Sequence, residues 1–322
     1  MSDAKRIIDV APTAESSTAI RQLEPNLASK QPRTLWGDAW RRFLRHRLAL
    51  IGSAMLIFFF AAVLIGPITY RVNPETLDFN ALSSGPSLKH LFGTDDLGRD
   101  MLARSLYGGR ISLAVGVVAM LIAISLGTVI GAVAGFFGGK IDQALMRVVD
   151  LFLALPVLPL LLLTVYLFRV PVVKAFGPIF GIFLIVVTMI GALAWMTTAR
   201  IVRATFLSLK QKEFVEAATC LGINRSAIMF RHILPNALSP IIVAATLEVG
   251  NAIITESTLS FLGVGFAPDT PTWGRLVTDG INYLQTAPWL ALIPGALIFL
   301  TVLSINFMGD GLRDALDPRS RL

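Results

Sequence analysis

The chain has 322 residues, of which 54% are hydrophobic and only 15% charged, and its mean hydropathy is +0.69. A soluble domain carries roughly a quarter charged residues, so a soluble globular protein is excluded and an all-α integral membrane protein is expected. The net charge of +7 reads as membrane orientation and not as nucleic-acid binding, because of where the basic residues lie.

Residues 1–30 contain Ala, Ser, Thr and Pro but no aromatic side chain, and a mobile N-terminal segment is expected there. The first forty-seven residues hold no apolar run, so they are not a cleaved secretory signal. Residues 31–47 include LWGDAWRRFLRHR, with Trp36, Trp40, Phe43 and Leu44 at helical spacing and Arg41, Arg42, Arg45 and Arg47 interleaved. Such a helix lies along a lipid surface, rings in the interface and guanidinium groups toward phosphate.

Leu48 to Tyr70 is free of charge and long enough to be the first span, since about 20 apolar residues cross a bilayer as a helix. Residues 71–109 follow as a polar loop. Its Asp95 and Asp96 with neighbouring arginines read as a self-satisfying turn and not as a metal site. The second span is Ile111 to Gly139. It carries Gly127, Gly131, Gly135 and Gly139 four apart, so all four are expected on one face where a neighbouring backbone approaches closely. The third span, Leu151 to Phe168, is short, and a helix beginning near Asp142 would make it a tilted one. Pro156 and Pro159 are expected to kink it. Ala175 to Ala199 is the fourth span, Asn236 to about Phe261 the fifth, and Gly280 to Gly309 the sixth.

Between spans four and five, within residues 200–236, lies EFVEAATCLGINRSAIMFRHILPN. Glu213 to Leu221 are good helix formers, and Gly222 sits where a left-handed cap ends that helix. Asn224 or Ser226 caps a second helix, which Pro235 is expected to stop. Helix, sharp turn and helix form a rigid knob, able to transmit a push from a soluble partner into spans four and five. Cys220 stands alone, so no intrachain disulfide forms.

Six spans with the N-terminus inside place 20 Lys and Arg on the inner side and 8 on the outer. The positive-inside rule then sets both termini, and residues 311–322 as a tail, in the cytoplasm. Arg169 and Lys174 run against the rule.

The chain lacks GxxxxGK[ST]: Lys140 follows two glycines, but position 134 is alanine and position 141 isoleucine. HExxH and GxSxG are absent as well. These absences speak against a membrane enzyme with catalytic residues or a cofactor of its own. A pump of this sequence takes its energy from a partner or from an ion gradient.

Glu216, Ala217 and Ala218, then Gly222, then a segment ending Leu234-Pro235, resemble the EAA loop of ABC importer permeases. The family pattern has isoleucine where this chain has His232, with Ile233 beside it. LWGDAWRRFLRHRLAL, FGTDDLGRDMLARSLYGGRISL, ARIVRATFLSLKQKEFVEAA, ESTLSFLGVG, PTWGRLVTDG and MGDGLRDALDP look like the dipeptide/oligopeptide branch. The resemblance is closest to the second permease subunit of oligopeptide transporters, and only residues 1–30 fall outside it. It implies a type I ABC importer permease core over residues 110–310 in a bacterial inner membrane. It also implies a homologous second permease as partner. Two ATPase subunits, carrying ATP and Mg, would be docked through the EAA loop. A periplasmic or lipid-anchored binding protein would deliver peptide.

On span five, Glu248, Asn251 and Thr255 fall within about 60° of one another at 100° per residue, with Glu256 about 80° to the other side of Glu248. A carboxylate facing lipid is costly, so this stripe is expected to face protein or a water-filled cavity. The resemblance, in which span five lines the passage between the two permease subunits, implies that it borders the peptide path. The competing reading is an ion- or proton-coupled secondary transporter that uses Glu248 and Glu256 as ligands. The absence of an inverted repeat and the presence of the knob count against it.

Overall fold

The computed structural model describes residues 35–316. Residues 1–30, expected to be mobile, and the end of the tail lie outside the described residues. Ten helices follow in order: α1 (Leu35–Phe43), α2 (Arg47–Thr69), α3 (Met101–Phe137), α4 (Gly139–Leu153) and α5 (Val157–Phe176), then α6 (Pro178–Lys210), α7 (Glu213–Cys220), α8 (Arg225–Phe261), α9 (Trp273–Ile281) and α10 (Trp289–Leu316). Six of them, α2, α3, α5, α6, α8 and α10, are long and apolar enough to cross a membrane. Among the described residues the only β pairing is an isolated antiparallel bridge between Thr94 and Asp100.

The largest helix contact is α3 on α6, and glycine spacing makes it possible. A β-carbon at Gly131 would stand 2.5 Å from the Ala199 carbonyl, and one at Gly135 would stand 2.6 Å from the Phe206 β-carbon. At Gly127 it would meet the Trp195 carbonyl at 2.7 Å. Three glycines on one face therefore let the two backbones touch. Gly139 departs from the expected row of four. The helix ends at Phe137, Gly138 and Gly139 both take positive φ (67° and 56°), and Gly139 opens α4 where an added β-carbon would meet nothing within 4 Å.

Other boundaries also differ from expectation. The polar loop ends at Asp100, not at residue 109, because Asp100 caps α3 by accepting from the Ala103 amide at 2.8 Å. The helix beginning near Asp142 does not run on into span three. Ala154, Leu155 and Pro156 break it, and Pro156 becomes the N-cap of α5 with Pro159 in its first turn. A proline has no N–H to lose there, so these two residues start a helix and do not kink one. The sixth span begins at Trp289, and Gly280 belongs to the separate helix α9. Of the interfacial aromatics, Trp40 is exposed, whereas Phe43 is buried beside Gly311 and Ala315 of α10.

Pro235 does not stop its helix. Asn224 caps α8 by accepting from the Ser226 amide, a π-helical stretch spans Ile228–Ile233, and α-helix then runs from Leu234 to Phe261. The wider turn removes the need for a Pro235 N–H: the Leu234 amide donates to Met229, and the Asn236 side chain donates to the His232 carbonyl at 2.7 Å. With 37 residues, α8 is about 55 Å long at about 1.5 Å per residue, well beyond the roughly 30 Å hydrocarbon layer. One unbroken element thus joins the knob to the opposite end of the molecule.

Candidate functional site

The knob is built from local chemistry upward. Glu213 and Glu216 occupy the first turn of α7, where carboxylates complement the helix dipole. At the other end Gly222 donates to Thr219 and Ile223 to Ala218, at 3.0 and 3.1 Å, with Gly222 at φ 73°. That pair of bonds is a Schellman cap, and its left-handed residue favours glycine. Val215 and Ala218 turn inward onto Val202, Phe206, Ile228 and Ile233. Glu213, Phe214, Glu216, Ala217 and Leu221 turn outward, and Leu221 is 80% exposed. Of the expected coupling residues, Glu216 and Ala217 therefore lie on the free face, Ala218 on the seat and Gly222 in the turn. Leu234 and Pro235 are separated from that face and sit at the start of the α-helical part of α8.

The knob's base is fastened by charge, α4 to α6 through two ion pairs and the end of α6 to the end of α3. Arg203 grips Asp142 through two of its guanidinium nitrogens, Nε and Nη2, the latter at 2.6 Å, and Arg200 pairs with Asp150. The Arg203 guanidinium holds the Asp142 carboxyl below its ordinary range. Lys210 donates to the Phe136 carbonyl at 2.7 Å and so caps the end of α3. None of these ties was read from the sequence. The signal present was the 3.6-residue pattern of GKIDQALMRVVDLFL, with Asp142 on one turn and Asp150 two turns on.

On α8 the expected stripe divides. Asn251 is exposed, and Glu248 and Thr255 are partly exposed. Thr255 spends its hydroxyl on the Asn251 carbonyl at 2.8 Å. Glu256 does not share their surface. It is wholly buried, accepting from Ser260 at 2.8 Å, Thr272 at 2.9 Å and Ser112 at 3.3 Å. The 80° offset turns it toward α3, where Gly116 lets Val249 and Ile253 pack closely. The cost of a buried carboxylate is met by three hydroxyl donors, so Glu256 is no ion ligand on an open path. Sequence reading missed Ser112 and Thr272. Ser260, one turn beyond Glu256, was the available clue.

At the opposite end, residues 71–100 fold into a polar cap. Asp95 accepts from the Leu97 and Arg99 amides and from Arg99 Nε at 2.7 Å, and Arg104 Nη1 approaches it at 3.3 Å. Arg104 is almost wholly buried and also faces Asp279 at 4.0 Å, itself paired with Arg275 at 2.9 Å. Burial pushes the Asp279 carboxyl up against the pull of these arginines. Asp100 joins Tyr70 and His90, both at 2.8 Å. The Tyr70 phenol is pushed up to about 12 by burial and then by this carboxylate. The self-satisfying turn expected at Asp95 is present and extends to α9. Among the described residues no group of His, Cys, Asp and Glu is arranged to hold a metal.

Comparison with known proteins agrees with this geometry. Residues 127–322 match the family described as binding-protein-dependent transport system inner membrane component, and residues 34–86 match the N-terminal TM domain of oligopeptide transport permease C. An oligopeptide transport system permease from Haemophilus influenzae is 43% identical over 291 residues, covering 90% of each chain. A dipeptide transport system permease from Alkalihalophilus pseudofirmus is 39% identical, covering 89% of this chain and 90% of its own. A chain of the inward-facing MetNI methionine ABC transporter superposes with a TM-score of 0.53 at 21% identity, covering 67% of this chain and 98% of that one. That likeness is one of fold, the type I importer permease.

Proposed function

The chain belongs to the family of binding-protein-dependent transport permeases, and from that premise we propose that it forms half of an oligopeptide passage driven by ATPase subunits docked on the knob. A homologous permease supplies the other half, and a binding protein delivers the peptide. The observation that carries this reading is the knob. It is a capped, inward-seated helix whose outer-face side chains, Glu213, Glu216, Ala217 and Leu221, are exposed. The knob is continuous with α8 after one turn.

In this reading the knob end is cytoplasmic and the polar cap at residues 71–100 faces outward, in a bacterial inner membrane. Nucleotide and Mg reside on the partner ATPases. Asn251 and Thr255, on the exposed side of α8, border the passage, with Glu248 beside them. The secondary-transport alternative loses one of its two carboxylates, since Glu256 is enclosed by hydroxyl donors. The test is peptide uptake by cells that depend on this chain, with ATP depleted while the ion gradient is clamped. Uptake should stop. Continued uptake under those conditions overturns the proposal.

A further inference from the structure

The buried Glu256 has a task that packing alone does not require. Its three hydroxyl partners come from three different places: Ser260 on its own helix, Ser112 on α3 and Thr272 at the start of α9. Two of those partners also accept. The Thr272 hydroxyl caps α9 by taking the Arg275 amide at 3.1 Å, and the Ser112 hydroxyl takes the Trp273 amide at 3.1 Å. Trp273 in turn donates its indole N–H to the Ser105 carbonyl at 2.9 Å. Both ends of the chain reversal between α8 and α9 are thereby fixed to one carboxylate. Gly274 lies directly against Ser257 of α8 and leaves no room for a side chain. The other end of α8 is the knob.

We propose that Glu256 is a positioning residue that locks α3, α8 and α9 into a single block at the loop end, so that displacement of the knob is delivered to α9 at the far side of the membrane. A carboxylate suits the task because each of its oxygens accepts more than one hydrogen bond, so one side chain closes bonds to three segments. A merely space-filling residue would hold the volume but not the register. The inference rests on the proposed docking of ATPases at the knob, and its test separates the two.

The assembled transporter offers two reporter positions, one on α7 at the knob and one at the end of α9. Native Cys220 is exposed on the knob. A cysteine introduced by Asn282→Cys, in a Cys220→Ser background, reports from the exposed cap of α9. Labelling with a water-soluble maleimide is measured without nucleotide and with ATP trapped on the partners. Both reporters should respond in the parent. In Glu256→Gln and Thr272→Val the response at position 282 should fall about tenfold, within the range usual for coupling between two sites, while Cys220 responds as before. Thr272→Ser, which keeps the hydroxyl, should restore it. Ser112→Ala and Ser260→Ala each remove one donor and should give smaller losses, keeping the test decisive if a stronger variant fails to assemble. A position-282 response that survives all of these changes overturns the block. If Cys220 itself ignores ATP in the parent, the docking reading fails and the inference falls with it.

Discussion

At the loop end, Asp95, Asp100 and Asp279 each answer a cation or a donor of the same chain. At the knob end, Glu213, Glu216, Arg225 and Arg231 are exposed and form no ion pair within the described residues. The two ends have comparable polarity in the sequence and opposite states in the fold. A polar group buried without a partner costs free energy, so the loop end closes on itself and contributes stability. The knob leaves its polar and apolar groups in water, where they add little to stability and are available to another protein. Substitutions at the loop end should therefore move stability first, and substitutions at the knob should move coupling first.

The largest effect on stability is expected from Asp95→Ala. It removes the nearest counter-charge of buried Arg104 and the acceptor of Arg99, leaving Arg104 with Asp279 alone at 4.0 Å. Breaking a buried pair costs about 3 kcal/mol or more, and thermal unfolding in detergent should show it as a marked fall in midpoint. An unchanged midpoint would mean that the cap is not a stabilising network, and the contrast between the ends would collapse.

Next comes the seam between α3 and α6, which both ends depend on. In Gly131→Leu the new β-carbon would meet the Ala199 carbonyl, a backbone atom unable to yield. Overpacking of this kind costs about 1–3 kcal/mol. The β-carbon added in Gly139→Leu meets no neighbouring atom, and the change should cost less, chiefly through its positive φ. Equal losses at the two positions would contradict the close approach seen only at the first three glycines.

Gly222→Val carries the contrast to the knob. Left-handed backbone costs a residue with a β-carbon about 1–2 kcal/mol, and the open surroundings of Gly222 add no clash. The protein should still insert and unfold near the parent midpoint, while ATP hydrolysis by the partners no longer drives uptake. Normal transport at parental ATPase rates would remove the knob from the mechanism.

Much of this architecture was legible in the sequence. Charge-free runs marked six spans because bilayer length is a one-dimensional constraint. Gly222 and Asn224 marked the turn because local backbone conformation depends on neighbouring residues. The misreadings have two kinds of cause: a neighbouring backbone feature at Gly139 and Pro235, and partners distant in sequence at Glu256. Gly139 shares the four-residue spacing, yet the preceding glycine ends the helix. Pro235 carries a stop signal that a π-helical turn overrides. Glu256 was grouped with Glu248 by angle along one helix, but its surroundings are set by Ser112 and Thr272, 144 and 16 residues away. Hydroxyls in apolar runs are weak signals singly, and only folding brings these three onto one carboxylate.

The smallest effect concerns the ties beneath the knob, where the contrast is finest. Asp142 and Arg203 are charged like the knob face but paired like the loop end, and they are only partly shielded from water. A partly exposed pair contributes about 1 kcal/mol or less, and bidentate geometry places this one toward the upper end of that range. Its pH dependence has a definite sign. Arg203 holds the Asp142 carboxyl below its ordinary value, its hydrogen bond contributing most. The contribution is fully present above the unfolded-state pKa of about 3.9, and it is lost as pH falls through the lower folded value. Arg203→Gln should thus lower the unfolding midpoint by a constant, small amount between pH 7 and pH 5. The gap between variant and parent should narrow below about pH 4 and shrink in high salt. A gap that widens in acid would mean that the carboxyl is held up and not down, and would place this pair with neither end of the molecule.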